Sequence, residues 1–318
     1  MMNKVKLASL AVSAEGLGCM GMSSVYGVAD WDESIATIRR GLDLGVTLID
    51  TANAYGHGHN EVLVGRAIAG RRDEVQLATK VGMDFTTGRG QVVIRNDPAY
   101  IKAAADASLL RLGTDVIDLY YLHRVNPEVP LEESVGALAE LVAEGKVRYI
   151  GLSEVNGDQL RAAHAVHPVA AVQSEYSLWT RDPETTVTEA ARELGVGLVA
   201  YSPLGRGFLT GTVDTTALAA NDGRRRLARF AADAAAANQH IADTVGKIAE
   251  AHGVTAGQVA IAWTAAQGGR LGIPVVPIPG TKRVKWIEEN ADALDVQLTD
   301  SDLTALEPLA AQATGARY

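Results

Sequence analysis

An α/β fold built as a closed eight-stranded parallel barrel, the (β/α)8 or TIM barrel, follows from three observations on the 318-residue sequence. Short β-branched runs alternate with amphipathic stretches of about 10 to 15 residues, the pattern of parallel βαβ units. The strand-like runs number eight. The first of them ends Gly18-Cys19-Met20-Gly21-Met22-Ser23, without the Gly-x-Gly-x-x-Gly turn that opens a doubly wound dinucleotide-binding sheet. Barrels of this length fold as one domain, so residues 1–318 are read as a single one.

Taken in order, Lys4–Ala14 alternates apolar and polar residues and is expected to form a small hairpin closing the barrel bottom. The strands are expected at Leu17–Gly21, Thr47–Asp50, Val75–Lys80, Val116–His123, Val147–Ser153, Ala170–Glu175, Gly197–Ser202 and Gly272–Pro279. Helices are expected at Asp32–Leu44, Glu61–Ala69, Pro98–Leu112, Leu131–Glu144, Gly157–Val166, Glu184–Leu194, Val254–Gln267 and Val284–Leu294. Asp97-Pro98 places a capping side chain before a proline at the first helical position, and Gly113, Gly145 and Gly195 each stop a helix before the next strand. Outside the repeat lie a polar loop, Val81–Asp97, and a long loop with helical pieces, Leu204–Gln239. A further helix is expected at Ile241–His252, and a C-terminal one at Thr299–Ala311 whose Thr299-Asp300-Ser301-Asp302 start is a strong cap.

Composition removes several function classes. A hydrophobic fraction of 47% with only 5% aromatic residues describes a core filled by Val, Ile, Leu and Ala. Lys and Arg number 29 against 38 Asp and Glu, a net charge of −9, and the basic runs are two or three residues long, so nucleic acid is not an expected partner. No apolar run approaches the ~20 residues of a membrane span. A single cysteine, Cys19, reads as a small buried hydrophobe; with no signal-like N-terminus, the cytoplasm is the expected compartment.

In such a barrel the active site lies at the C-terminal strand ends, and polar residues collect there: Asp50, Thr79-Lys80, His123, Ser153-Glu154, Gln173-Ser174-Glu175, Tyr201-Ser202 and Pro279-Gly280-Thr281-Lys282-Arg283. Each has an innocent explanation alone. A lysine after Val-Gln-Leu-Ala-Thr and a histidine after Asp-Leu-Tyr-Tyr-Leu are nevertheless costly to bury without partners, and one shared mouth would supply them.

With these motifs in this order, from about Leu17 to Leu306, the chain resembles the aldo-keto reductases. The likeness rests on Asp50-Thr51-Ala52-x-x-Tyr55-Gly56 with Asn60-Glu61, on Ala78-Thr79-Lys80, on Asp118-Leu119-Tyr120-Tyr121-Leu122-His123 and on Gly151-Leu152-Ser153. Val172-Gln173-Ser174-Glu175-Tyr176-Ser177, Tyr201-Ser202-Pro203-Leu204-Gly205-Arg206-Gly207 and Ile278-Pro279-Gly280-Thr281-Lys282-Arg283 complete it. The resemblance implies a catalytic tetrad of Asp50, Tyr55, Lys80 and His123, with Tyr55 as proton donor, Lys80 lowering its pKa, Asp50 pairing Lys80, and His123 orienting the carbonyl. It implies NADPH/NADP+ as cofactor. The contacts implied are Met22, Ser153, Gln173, Tyr201, Ser202, Leu204, Gly205, Gly207, Gly280, Thr281, Lys282, Arg283, Glu289 and Asn290, with Lys282 and Arg283 at a helix start as a 2′-phosphate clamp. No metal is expected.

Two positions depart from the commoner family pattern. Glu154 follows the strand-five serine where many members carry Asn, and Trp286 stands where an arginine commonly precedes the adenine-binding Asn. The pocket walls are expected from Met22, Tyr26, Met83, Phe85, Trp179 and the Leu204–Gln239 loop, which fits small carbonyl substrates, the protein acting as a monomer or homo-oligomer. The competing readings are a metal-dependent hydrolase using Asp50, His123, His57 and His59, which Lys80 argues against, and a cofactor-sensing subunit of a larger assembly that turns over slowly or not at all.

Overall fold

The computed structural model describes residues 2–23, 25–85 and 92–317. A hairpin, β1 (Lys4–Leu7) and β2 (Leu10–Ser13), comes first. The barrel strands follow: β3 (Gly16–Gly18), β4 (Leu48–Asp50), β5 (Gln76–Val81), β8 (Ile117–Leu122), β9 (Val147–Ser153), β10 (Val169–Glu175), β11 (Gly197–Tyr201) and β12 (Val275–Ile278). They form an 8-stranded sheet in the order β12-β11-β10-β9-β8-β5-β4-β3, with every pairing parallel. The sheet closes where Gly18 bridges Gly280 in parallel and the Gly18 N–H donates to the Pro279 carbonyl at 3.2 Å. Glycine suits that seam, because a Cβ on Gly18 would stand 3.0 Å from the Ile278 carbonyl oxygen. β6 (Met83–Asp84) and β7 (Val93–Ile94) pair antiparallel inside the expected polar loop, of which residues 86–91 lie outside the described residues.

The helices are α1 (Trp31–Asp43), α2 (His59–Ile68), α3 (Pro98–Leu112), α4 (Leu131–Ala143), α5 (Gly157–Val166), α6 (Pro183–Thr186), α7 (Thr188–Leu194), α8 (Ala232–His252), α9 (Ala256–Leu271), α10 (Val284–Ala291), α11 (Asp300–Leu306) and α12 (Leu309–Gln312). Asp97 caps α3 by accepting from the Tyr100 N–H, and Gly113 ends it in the left-handed region. The differences from the sequence reading have local causes. The first strand stops at Gly18, and Met20–Ser23 turns into a short 3-10 helix. Gly268 and Gly269 do not interrupt α9, which runs on to Leu271 and ends at Gly272, so β12 starts three residues later than expected. The helix expected over Glu184–Leu194 is broken at Val187, with φ −138°, into α6 and α7. The Ala-rich tract extends α8 upstream to Ala232, as alanine propensity favours. Thr299 and Asp302 cap α11 reciprocally.

Strand side chains alternate between two apolar layers. Leu17, Ile49, Leu77, Tyr120 and Leu152 belong to the layer between sheet and helices. Leu48, Ala78, Leu119, Tyr121, Ala171 and Val199 belong to the barrel interior, together with Leu7, Leu10 and Val12 from the hairpin, which therefore fills the floor. That period of two also places the site. Two residues beyond interior Leu48 comes Asp50, beyond Ala78 comes Lys80, beyond Tyr121 comes His123, beyond Ala171 comes Gln173 and beyond Val199 comes Tyr201. The same face that packs the core at mid-barrel carries the polar groups at the mouth.

One buried acid belongs to neither layer's chemistry. Glu15, between β2 and β3, is fully buried, and neither carboxylate oxygen has a hydrogen-bond partner. Burial pushes its pKa well above the ordinary carboxylate value, and the nearby Asp292 adds to the rise. The folded protein thus keeps a proton that the unfolded chain releases above about pH 4.3, so this group lowers stability as pH rises through and beyond that value. Glu15→Gln is expected to stabilise the protein at pH 7–8 and to flatten the fall in unfolding free energy with rising pH, both read from urea unfolding curves. Destabilisation at pH 8 would contradict the account.

Candidate active site

Four side chains meet at the ends of β4, β5 and β8. Lys80 Nζ donates to Asp50 Oδ1 at 2.5 Å, to the Thr51 carbonyl at 2.7 Å and to Tyr55 Oη at 3.1 Å. Lys80 is 0% exposed and Asp50 3%, so the ion pair is dry, and the ammonium has a partner for each of its three N–H bonds. Asp50 Oδ2 accepts from Gln173 Nε2 at 2.8 Å, which fixes the carboxylate from the far side. Tyr55 arrives on the loop after β4, where its N–H donates to the Ala52 carbonyl and Gly56 and Gly58 take φ of 58° and 89°. The rings of Tyr55 and His123 meet edge to face, with centroids 5.9 Å apart.

The electrostatics correct one sequence expectation. Burial pushes the Tyr55 phenol up, the Lys80 ammonium pulls it back only in part, and the net direction is above the ordinary value. Burial alone would likewise lower Lys80, but the Asp50 carboxylate and then Tyr55 outweigh it, and the lysine is held above its ordinary value. His123 is driven well below its usual value by burial, then by the charges of Lys80 and Arg124, so the ring is neutral. Its Nδ1 is buried without a hydrogen-bond partner.

A second set of groups fixes the first. Glu61, fully buried, accepts from Thr79 Oγ1 at 2.7 Å and from Arg111 Nε at 2.6 Å. Asn60 accepts from Thr51 Oγ1 at 2.6 Å and donates to the Cys19 carbonyl at 2.8 Å, tying the ends of β3 and β4 together. Cys19 is buried, and burial raises its thiol pKa far out of the reactive range. His57 packs against Phe85, and His59 bonds Ser23 at 2.9 Å on the surface; no group of three metal-ligating side chains occurs among the described residues.

A cavity of about 680 Å³ opens over this centre and runs toward the start of α10. Asp50, Tyr55 and His123 line it, as do Ser153, Gln173, Tyr201, Ser202, Leu204, Gly207, Gly280, Thr281, Lys282 and Arg283. Lys80 lies behind Asp50 and Tyr55. Of the other expected cofactor contacts, Met22 is buried and does not line the cavity, whereas its neighbours Met20 and Gly21 do. Gly205 is not among the lining residues and packs against the Trp179 indole, from which a Cβ would stand only 2.8 Å away. Glu289 accepts from Thr255 Oγ1 at 2.8 Å, and Asn290 is buried with Nδ2 unpartnered; neither is among the lining residues. Lys282 Nζ donates to the carbonyls of Tyr26 and Val28, at 2.9 and 2.6 Å. Burial, then Arg283 and Arg224, lower its pKa.

Tyr26, Met83 and Phe85 form the apolar wall as expected, whereas Trp179 is buried in a stack with Phe208, centroids 4.9 Å apart, and supports the wall from behind. Sequence reading missed three cations at this mouth. Arg206, with φ 56°, pairs with fully buried Glu175 at 2.7 Å. Arg124 donates to Ser153 Oγ at 3.0 Å, and Arg224 lies over the Tyr26 ring. Their signal was the residue type at a strand end or in the long loop, with nothing local to separate them from surface arginines. Trp286, read as a departure, lines the cavity beside Arg283.

The model of the aldo/keto reductase family matches residues 16–311. The chain belongs to the aldo/keto reductase family. It is similar to the NADP(+) aldo-keto reductase yakc of Schizosaccharomyces pombe, 42% identical over 98% of this chain and 93% of the relative. Among solved structures it is similar to the glycerol dehydrogenase of Gluconobacter oxydans, with TM-score 0.85, 28% identity and coverage of 98% of this chain and 95% of that one. It is also similar to an aldo/keto reductase of Klebsiella pneumoniae in complex with NADP and acetate, with TM-score 0.75, 29% identity and 97% and 95% coverage.

The neutral state of His123 has a measurable sign. Its folded pKa is depressed, so as pH falls through the ordinary histidine value near ~6.5 the unfolded chain binds a proton there first and the folded state loses stability. His123→Asn is expected to reduce the slope of unfolding free energy against pH below that value, by at most about 1.4 kcal/mol per pH unit. A His123 ring resonance that titrates near pH 6.5 in the folded protein would contradict this.

Proposed function

We propose that this aldo/keto reductase, a single (β/α)8 domain, reduces aldehydes and ketones to alcohols with NADPH, and that Tyr55 delivers the proton. The observation that carries the reading is the Tyr55 hydroxyl, 3.1 Å from a buried ammonium that a carboxylate holds in place, on the wall of a cavity shared with His123.

The residues present fit the cofactor. The cavity is long, Gly18, Gly21, Gly207 and Gly280 give it stretches of wall without side chains, and Lys282 and Arg283 stand at its far end where α10 begins. The NADP(+) name of the yeast relative and the NADP complex of the Klebsiella relative support this choice. When bound, the nicotinamide supplies the hydride to the carbonyl carbon. Ser153 and Gln173 would hold its carboxamide, Tyr201 its ring, Ser202, Leu204 and Gly207 its pyrophosphate, and Thr281, Lys282 and Arg283 a 2′-phosphate. Lys282, whose ammonium is bonded to the Tyr26 and Val28 carbonyls, would offer that phosphate its charge.

The chain's own part is proton delivery and orientation. Neutral His123 offers a hydrogen bond to the carbonyl oxygen and sets which face meets the ring. As charge develops on that oxygen, Tyr55 donates its proton, and the resulting phenolate is stabilised by Lys80 at hydrogen-bond distance. Asp50 keeps Lys80 charged through the cycle. A phenol held above its ordinary value leaves the acid fully protonated at neutral pH before substrate arrives, while the adjacent ammonium stabilises the product of its ionisation. The walls of Tyr26, Met83, Phe85 and Leu227 admit small apolar or aromatic carbonyl compounds.

Tyr55→Phe removes the proton donor and leaves the rest of the cavity. Steady-state oxidation of NADPH with a panel of aldehydes is expected to fall by about 100-fold or more, while NADPH affinity from fluorescence titration stays within about threefold. Near-normal turnover by this variant would overturn the assignment. Negligible turnover by the unsubstituted protein with intact NADPH binding would favour a cofactor-sensing role.

A further inference from the structure

The carboxylate of Glu154, which departs from the family pattern, has an unusual set of partners. Glu154 directly follows Ser153 at the end of β9 and holds φ at 56°, a backbone conformation that a residue with a Cβ adopts only when its surroundings enforce it. Its N–H donates to the Gln173 carbonyl at 3.0 Å, and its Oε1 accepts from the Glu175 N–H at 2.9 Å. Arg317 binds both oxygens, Nη2 to Oε2 at 2.6 Å and Nη1 to Oε1 at 3.3 Å.

Arg317 comes from the C-terminal segment, which is fastened along its length. Asn238 on α8 exchanges two hydrogen bonds with Thr314, Nδ2 to the carbonyl at 2.9 Å and the N–H to Oδ1 at 2.7 Å. Arg229 Nε donates to the Gly315 carbonyl at 3.1 Å, and a Cβ on Gly315 would come within 3.1 Å of the Ala228–Arg229 backbone, so the segment lies flat against that turn. From there Arg317 reaches the mouth, with Asp182 a further 3.9 Å partner. The segment therefore connects α8 to the strand end that carries Ser153 and, through one carboxylate, to the end of β10.

We propose that Arg317 is a positioning residue for the cofactor: through Glu154 it holds the Ser153–Glu154 turn, which grips the Gln173 carbonyl, in the arrangement that receives the nicotinamide. The inference rests on the placement of Ser153 at the carboxamide. Glu154 is only 12% exposed, and without the guanidinium its charge would be left in a partly dry site with the Glu175 N–H to hold it. The carboxylate then turns toward water, the left-handed turn relaxes, and Ser153 loses its place. The tetrad, held by the Lys80 ion pair and by Glu61 and Asn60, keeps its geometry. Loss of Arg317 thus weakens cofactor binding and spares proton transfer.

The test compares Arg317→Ala, Arg317→Lys and Glu154→Gln in the full chain, with NADPH fluorescence titration, steady-state kinetics against NADPH and thermal unfolding. Arg317→Ala is expected to raise the NADPH dissociation constant and KM by about tenfold, about 1.4 kcal/mol, with kcat within about twofold and a cooperative melt. Arg317→Lys recovers part of the affinity. Glu154→Gln shows the same loss, and combining it with Arg317→Ala adds little beyond either, because both break one linkage. Unchanged NADPH affinity in folded Arg317→Ala or in Glu154→Gln overturns the proposal, as does a double variant whose losses multiply. Ser153→Ala separates the tail's role from the cofactor placement. If it weakens NADPH binding while Arg317→Ala does not, the tail's role alone fails; if it leaves binding unchanged, the placement of Ser153 fails as well.

Discussion

A dry ammonium organises the mouth of this barrel. Lys80 is fully buried, and such a charge survives only with matched partners; here they are the Asp50 carboxylate, the Thr51 carbonyl and the Tyr55 hydroxyl. Removing one member of a buried pair typically costs about 3–5 kcal/mol, because the other is left uncompensated. The geometry of two neighbouring parallel strands and the loop between them is therefore tied to one charge. β4 supplies the acid, the loop after it the phenol, and β5 the lysine. The Gln173 amide, reaching Asp50 from β10 across the barrel, keeps the carboxylate from rotating away.

The barrel makes that arrangement inexpensive to reach. A strand whose interior residues pack in the middle must present its next same-face residue at the mouth, so apolar burial lower down aims each functional side chain. The long segment after β11 then builds part of the walls, and the C-terminal segment braces the end of β9 through Glu154. Phe208 and Phe230 enclose Trp179 with centroids 4.9 and 6.3 Å from it, a rigid aromatic backing under Gly205. Three residues in this region and beside it, Glu154, Ser202 and Arg206, hold positive φ without being glycine, and two of them are fixed by ion pairs, Glu154 to Arg317 and Arg206 to Glu175. Backbone strain of this kind collects where ligands are gripped.

Much of this was legible in the sequence, for reasons of period and chemistry. Alternation located all eight strands, and the hairpin was readable from Val5, Leu7, Leu10 and Val12. Lys80 and His123 stood out because each ends a run too apolar to bury it alone. What escaped was long-range. Gly268 and Gly269 suggest an early helix end, yet helix packing carries α9 past them. The tetrad's electrostatic balance depends on how dry the site is, so Tyr55 is pushed up where the presence of Lys80 alone implied the reverse. Met22, Gly205, Glu289 and Asn290 sit in recognisable motifs, but whether a motif residue faces the cavity or supports it is set by neighbours far along the chain. The Glu154–Arg317 pair joins residues 163 positions apart, and neither position announces the other.

The central claim is that the Asp50-held ammonium of Lys80 supports the acid that completes reduction. Its most direct test is the pH dependence of kcat for aldehyde reduction by Lys80→Met, with NADPH affinity measured in parallel. The account predicts a loss of about 100-fold or more in kcat at neutral pH, with NADPH affinity within about threefold. A Lys80→Met enzyme that keeps the original kcat and pH profile would show that Tyr55 needs no ammonium beside it and would contradict the account.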